Sequence, residues 1–347
     1  MELLTIADLK RAAQEGRIEA TVHTQVESIS KKETRDLKPF LEMALADAQG
    51  KLTIRVWSDS PNYPLCSEIE TGQFVGITGE FSHNANFGVE AKRWILKPLD
   101  AAERDALLAG PPELRERQEA DFEFIRQTIA SIADPRLCAL CELFLHDFGD
   151  RFRRSAAARN NHHARRGGLV EHVAQMMRAA AAVCAVYPQL NRDLLVAGVM
   201  FHDCGKLWEN ALPENGFTMP FDERGELLGH ITIGAEVVNA LWRKVLATGD
   251  AKAWETILPA SDDVRLHLLH LVAAHHGETQ FGSPIVPKTP EAQALHYIDN
   301  LDAKMEMFDT AYGKAAPLAS RIFERVWPLP GNIVTPLAKF SPGEAEK

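Results

Sequence analysis

The sequence predicts an α+β multidomain protein, with a small antiparallel β-barrel at its N-terminal end followed by an all-α half. From Ile18 to Leu99 the apolar residues alternate in short runs, whereas after Asp100 they recur at spacings of three and four. The crowding of histidines into the helical half says where the chemistry lies.

Met1 to Gly16 mixes Glu2, Asp8, Lys10, Arg11 and Glu15 into a helical pattern, without the basic flank and apolar centre of a signal peptide. Alternation then predicts strands at Thr21–Ile29, Phe40–Ala46, Leu52–Trp57, Phe74–Phe81 and Glu90–Leu96. Turn-rich pieces separate them, including Asp47-Ala-Gln-Gly50 and Ser58-Asp-Ser-Pro-Asn62. About five strands in about 80 residues suit a small barrel. Helices are predicted over Asp100–Ala109, Glu113–Ala133 and Pro135–Asp147, with breaks at Gly110-Pro-Pro112 and Asp134-Pro135. From Gly168 helices dominate to about Val326, and the last dozen residues read as frayed. The expected division is 1–100 for the barrel, 101–160 for a helical connector, 161–326 for the main helical domain and 327–347 for a tail.

A chain of 347 residues that is 46% hydrophobic has enough apolar material for more than one core. Its longest apolar runs, such as Ala179 to Tyr187, read as too short to span a bilayer, so the expected setting is the cytoplasm, with no membrane partner. Five cysteines are an odd number, and Cys138-Ala-Leu-Cys141 stands without a second pair, which favours buried thiols over a disulfide framework or a metal knuckle. A net charge of −10 excludes a protein that coats nucleic acid by bulk attraction, so phosphate binding must be local.

His202 and Asp203 stand directly behind the apolar helix Leu194 to Phe201. Burying both without partners costs roughly 2 to 7 kcal/mol for each polar group, and more for a charge. A divalent metal removes that penalty, and the two oxygens of Asp203 are able to bridge a second ion. The order His172, His202-Asp203, Asp299, with Gly205-Lys206 after the doublet, resembles the HD superfamily of metal-dependent phosphohydrolases. His230, His275 and His276 extend the resemblance to members that carry two metals. His267 and His270 read as packing or surface residues, and His296 as a supporting residue behind the ligands.

The surrounding segments are similar to YhaM-type 3'-to-5' exoribonucleases, which join an N-terminal OB-fold to a C-terminal HD domain. They include Ala157-Ala-Arg-Asn-Asn-His-His-Ala164, Gly167-Gly-Leu-Val-Glu-His172, His275-His-Gly-Glu278, Phe281-Gly-Ser-Pro284 and His296-Tyr-Ile-Asp-Asn-Leu-Asp302. The barrel fits the OB position in pattern and order alone. Cys204 departs from the aliphatic residue that such sequences carry there.

The resemblance implies a metal-dependent phosphodiesterase that trims single-stranded RNA, or DNA, from the 3' end and releases 5'-mononucleotides. It implies two divalent ions held by His172, His202, Asp203, His230, His275, His276 and Asp299. Manganese is the first expectation, and iron, cobalt, nickel, zinc or magnesium also suit such donors. Asp203 and Lys206 are the catalytic candidates, the lysine by placing its ammonium on a nonbridging phosphoryl oxygen. A basic run of Arg151, Arg153, Arg154, Arg159, Arg165 and Arg166, with His162 and His163, leads into the His172 helix as a candidate phosphate track. On the barrel, Lys31, Lys32, Arg35 and Lys38 are expected in the connection between the first two strands, and Arg55 and Trp57 offer a cation and a stacking plane. Two other functions compete: hydrolysis of small or cyclic nucleotides with a regulatory OB domain, and noncatalytic nucleic-acid binding. The sequence is compatible with a homo-oligomer.

Overall fold

A computed structural model describes residues 1–84, 88–159, 162–247, 251–313 and 315–340. Asn160 and Asn161 of the resembling segment, and residues 341–347 of the expected frayed tail, lie outside the described residues.

The N-terminal half contains strands β1 (Glu2–Leu4), β2 (Ile18–Glu33), β3 (Pro39–Ala46), β4 (Lys51–Trp57), β5 (Phe74–Asn84) and β6 (Gly88–Pro98), with helices α1 (Ile6–Glu15) and α2 (Tyr63–Glu68). The sheet runs β4-β3-β2-β5-β6, with β1 parallel to β2. Alternation buries one face: Val22, Val26, Leu41, Met43, Leu45, Ile54, Val56, Ile77 and Phe81 form its core. The five expected strands are all present. The barrel is not closed, however, because the sheet path ends at β4 and β6 and no ladder joins them among the described residues. A cleft of about 370 Å³ separates those edges, lined in part by Arg55, Trp57, Lys92 and Trp94.

Three local expectations need correction. The first sixteen residues are not wholly helical: three pair as β1, and the helix starts at Ile6, where the Thr5 side chain accepts from the Asp8 amide. A three-residue strand is too short to show alternation. β2 also continues to Glu33, so Lys31 and Lys32 lie in the strand opposite Leu41 and Phe40, and only Arg35 and Lys38 belong to the connection. That end of β2 is largely exposed, so no apolar alternation marks it. Finally, the helices end at Tyr312, after which β7 (Pro317–Ala319), β8 (Ile322–Phe323) and β9 (Ile333–Val334) form a small antiparallel sheet.

The second half contains α3 (Ala101–Ala109), α4 (Pro112–Ala130), α5 (Pro135–Arg154), α6 (Gly168–Val186), α7 (Arg192–Phe201), α8 (Lys206–Glu209), α9 (Glu223–Leu246), α10 (Ala251–Trp254), α11 (Ser261–Ala274) and α12 (Pro290–Tyr312). Side-chain caps start most of the long ones. Asp100 and Glu103 form a capping box on α3, and Asp134, Asn191, Asp222 and Thr289 cap α5, α7, α9 and α12. Helices α4 and α5, expected to connect the halves, place Ile125, Ile129, Leu140 and Phe144 in one core with α6, α7, α9 and α11. Contrary to the reading of the apolar runs, α6 is by length and composition apolar enough to cross a membrane. Here it is a packed core helix with Glu171 and His172 buried in its first turns. Phe217 of the second half packs on Ala46 and Ala48 of the first, and its amide donates to Gln25 Oε1 at 2.6 Å.

Candidate metal centre

Five helices bring the expected ligands together. His172 lies on α6, His202 and Asp203 follow the end of α7, His230 sits in α9, His275 and His276 follow α11, and Asp299 lies on α12. Two glycines permit the approach. α9 breaks at Gly229, whose φ of 68° belongs to the left-handed region, so His230 starts a new helical segment. At Gly205 a Cβ would lie 1.9 Å from the His230 carbonyl oxygen, so only glycine lets the His-Asp turn touch that helix.

The five candidate ligand imidazoles share one arrangement. Each directs Nδ1 to a protein acceptor and leaves Nε2 for the centre. His172 Nδ1 donates to Asp302 at 2.7 Å, His202 to the Val199 carbonyl at 2.8 Å, and His230 to Glu209 at 2.9 Å. His275 donates to the Val272 carbonyl at 2.7 Å and His276 to the Phe281 carbonyl at 2.8 Å. Such outer bonds fix the tautomer and orientation of a metal-binding histidine.

The Nε2 atoms and the carboxylates converge. His172 Nε2 lies 3.2 Å from His202 Nε2 and 3.3 Å from Asp299 Oδ1. Asp203 Oδ2 is 3.3 Å from His202 Nε2, while its Oδ1 is 3.7 Å from His230 Nε2 and 3.6 Å from His275 Nε2. Asp203 therefore presents one oxygen to each of two histidine groups. Among the described residues, Asp203 Oδ1, His230 Nε2 and His275 Nε2 are buried without any hydrogen-bond partner. Native proteins rarely leave such atoms orphaned, and a cation satisfies all three at once. The donor set fits first-row divalent metals.

Burial and neighbouring charges set the electrostatics of the ligands. Burial works against a charged His172, but Asp299 and Asp302 outweigh it and raise its pKa to about 9. Burial likewise opposes a charged Asp203, yet Lys206 and His202 hold it well below the usual carboxylate range. Burial lowers the pKa of His275 and His276, keeping them neutral and able to ligate.

The other expected site residues fare differently. Lys206 is buried, and its ammonium lies 2.6 Å from Asp203 Oδ2 instead of facing solvent. His162 is half-buried, and burial, then Lys206, lower its pKa to about 3. His163 is buried, bonded to Asp302 at 3.0 Å, and so stands behind the ligands, out of reach of substrate. His296 donates to the His275 carbonyl at 2.9 Å, as a supporting residue should.

The arginines of the candidate phosphate track each hold a partner within the chain. Arg159 donates to the carbonyls of Glu209, Met219 and Pro220, and Arg166 to those of Pro213, Glu214 and Gly216. Arg165 is clamped by Glu171 and Glu306. Arg153 pairs with Glu119, Arg154 with Glu214, and Arg151 covers the Trp208 ring. On the sheet, Lys32 and Arg55 both pair with Glu42, and Trp57 is 44% exposed while packing on Phe40 at 5.0 Å.

Sequence reasoning missed Asp302 and Glu209, which orient His172 and His230. Asp302 had a signal: it follows Asp299 by three residues and so shares its helix face. Glu209 had none, because nothing local links it to His230.

The HD domain family profile matches residues 169–304. A 3'-5' exoribonuclease YhaM from Geobacillus sp. (strain WCH70) is 32% identical over 311 residues, covering 89% of this chain and 89% of that protein. The 3'-5' exoribonuclease YhaM of Bacillus pumilus (strain SAFR-032) is 32% identical over 308 residues, covering 87% of this chain and 91% of its own. Among solved structures, the replication factor A related protein of Methanobacterium thermoautotrophicum covers 28% of this chain and 92% of its own at 23% identity, with a TM-score of 0.23 that is too low to bear on the fold. At the identity and coverage of those exoribonucleases, this chain belongs to the YhaM 3'-5' exoribonuclease family.

Proposed function

We propose that the protein is a metal-dependent 3'-5' exoribonuclease that shortens single-stranded RNA and releases 5'-mononucleotides, using two divalent ions with manganese as first choice. The observation that carries this reading is Asp203, with one oxygen toward His172 and His202 and the other, orphaned, toward His230 and His275. Two ions there would be held by His172, His202, Asp203 and Asp299 on one side, and by Asp203, His230, His275 and His276 on the other. When bound, such ions acidify water and neutralise charge developing on phosphoryl oxygens. The chain itself orients the imidazoles through Asp302, Glu209 and three backbone carbonyls, and Lys206 keeps Asp203 ionised. The sheet half supplies exposed cations, Lys31, Lys32, Arg35 and Lys38, for the strand upstream.

The test is incubation of the intact protein and Mn²⁺ with 5'-end-labelled single-stranded RNA. Stepwise shortening from a free 3' end, without ATP, is expected. Unchanged cleavage of RNA blocked at its 3' end, or internal fragments appearing first, overturns the reading. Preferential hydrolysis of mononucleotides or cyclic dinucleotides transfers the assignment to a small-nucleotide phosphohydrolase.

A further inference from the structure

The histidines around the metal centre differ in one respect. Those at 163, 172, 202, 230, 275, 276 and 296 each have a ring nitrogen bonded to a protein acceptor. His162 makes no hydrogen bond among the described residues, and its Nδ1 is buried without a partner. Its ring nevertheless lies beside the ligands, 5.6 Å from the ring of His172. The charges that act on it are those of Lys206, His172, Asp299 and Asp203.

The backbone holds His162 there deliberately. His163, the next residue, has a φ of 44°, a left-handed conformation that non-glycine residues seldom adopt and that clusters at functional sites. Its carbonyl accepts from the Ala157 amide at 3.3 Å and presses on Gly168, where a Cβ would lie 2.0 Å away. The turn at His163 is thereby fixed to the first residue of α6. His163 turns inward to Asp302, and His162 stands half-buried beside the ligands.

An imidazole without an anchor behind it lacks the arrangement shared by all five candidate ligands. With Nδ1 buried, its Nε2, which makes no hydrogen bond among the described residues, is the ring nitrogen left for another molecule. Lys206, the alternative donor, is committed to Asp203 at 2.6 Å. We propose that His162 is a catalytic residue that donates a hydrogen bond to a nonbridging oxygen of the scissile phosphodiester, beside the metal ions and not on them. This rests on the reading of the site as a phosphodiesterase. It assigns to His162 the contact that the sequence suggested for Lys206.

The test uses the intact Mn²⁺-loaded protein and the variants His162→Ala and His162→Asn. Three assays are run: kcat and KM on single-stranded RNA, hydrolysis of bis(p-nitrophenyl) phosphate, and metal content per chain by mass spectrometry. For His162→Ala, kcat should fall about 10²- to 10³-fold on both substrates, the usual effect of removing one donor to a developing oxyanion. Its KM should stay within about threefold and its metal content should match the wild type. His162→Asn, which keeps an N–H donor, should recover about tenfold of that loss. Loss of metal in His162→Ala would make the residue a ligand and overturn the proposal. So would a wild-type kcat in His162→Ala, or equal losses in the Ala and Asn variants. If the wild-type protein cleaves the small phosphodiester but does not shorten RNA, the exoribonuclease reading falls, and the role of His162 is still decided on the small substrate.

Discussion

The metal centre and the basic end of the sheet both contain residues that the sequence singles out, yet they are built in opposite ways. At the metal centre every candidate ligand histidine is held from behind, and buried atoms of Asp203, His230 and His275 point inward unsatisfied. On the sheet, Lys31, Lys32, Arg35 and Lys38 stand at or near the surface, and Lys32 already shares Glu42 with Arg55. Burial makes an unsatisfied polar atom expensive, so the first region specifies what must occupy it. Exposed ion pairs are worth about 0 to 1 kcal/mol, so the second region rearranges around a ligand at little cost.

The largest test of this contrast is Asp203→Asn. It should cut kcat by about 10³-fold and lower bound metal, as read by steady-state kinetics and mass spectrometry. A variant that keeps both metal and activity would break the comparison at its centre.

The supporting layer should come next. Glu209→Gln and Asp302→Asn leave the ligands in place but remove the carboxylate behind His230 or His172. Each should weaken metal affinity or activity by about 10- to 100-fold. Titration with Mn²⁺ distinguishes this from a loss confined to kcat.

The pH dependence sharpens the comparison further. In the metal-free protein the pKa of His172 is about 9, raised from its ordinary 6.5 against the opposing effect of burial. Its ion pair with Asp299 and Asp302 therefore contributes stability that is full below about pH 6.5 and lost as the pH rises through about 9. A protonated imidazole cannot ligate, so metal affinity should rise over the same interval. Thermal melts with and without Mn²⁺ should diverge as the pH increases, and parallel curves would refute the coupling.

The smallest effect belongs to the sheet. Converting Lys31, Lys32, Arg35 and Lys38 to glutamine should leave folding nearly unchanged. It should flatten the salt dependence of oligonucleotide binding by about 0.7 in log-log slope for each phosphate contact removed. An unchanged slope would remove these four residues from RNA binding and leave the cleft between β4 and β6 as the better place to look.

Much of the fold was legible because its signals are local. Five strands and the first helices announced themselves through periodicity, and the predicted starts at Asp100 and Asp134-Pro135 coincide with the helix caps that the structure shows. β1, α2 and the C-terminal strands β7 to β9 were missed because elements of two to six residues complete too few repeats. The membrane-length apolarity of α6 escaped notice because Glu171, His172 and Arg178 interrupt its runs.

By itself the sequence determined the periodic elements and marked His202-Asp203 as a doublet in need of a partner such as a metal, while the other candidate ligands came from the resemblance to HD phosphohydrolases. The tertiary structure alone decided what the long cations do. Arg165 reaches Glu306 across 141 residues of chain, and Arg159 and Arg166 end on backbone carbonyls that no motif advertises. It also decided that the sheet stays open, that Lys206 turns to Asp203, and that His162 Nδ1 has no partner among the described residues. The physical reason is reach: periodicity and capping depend on neighbours in sequence, whereas the partner of a buried or flexible polar group is set by whichever distant element folds against it.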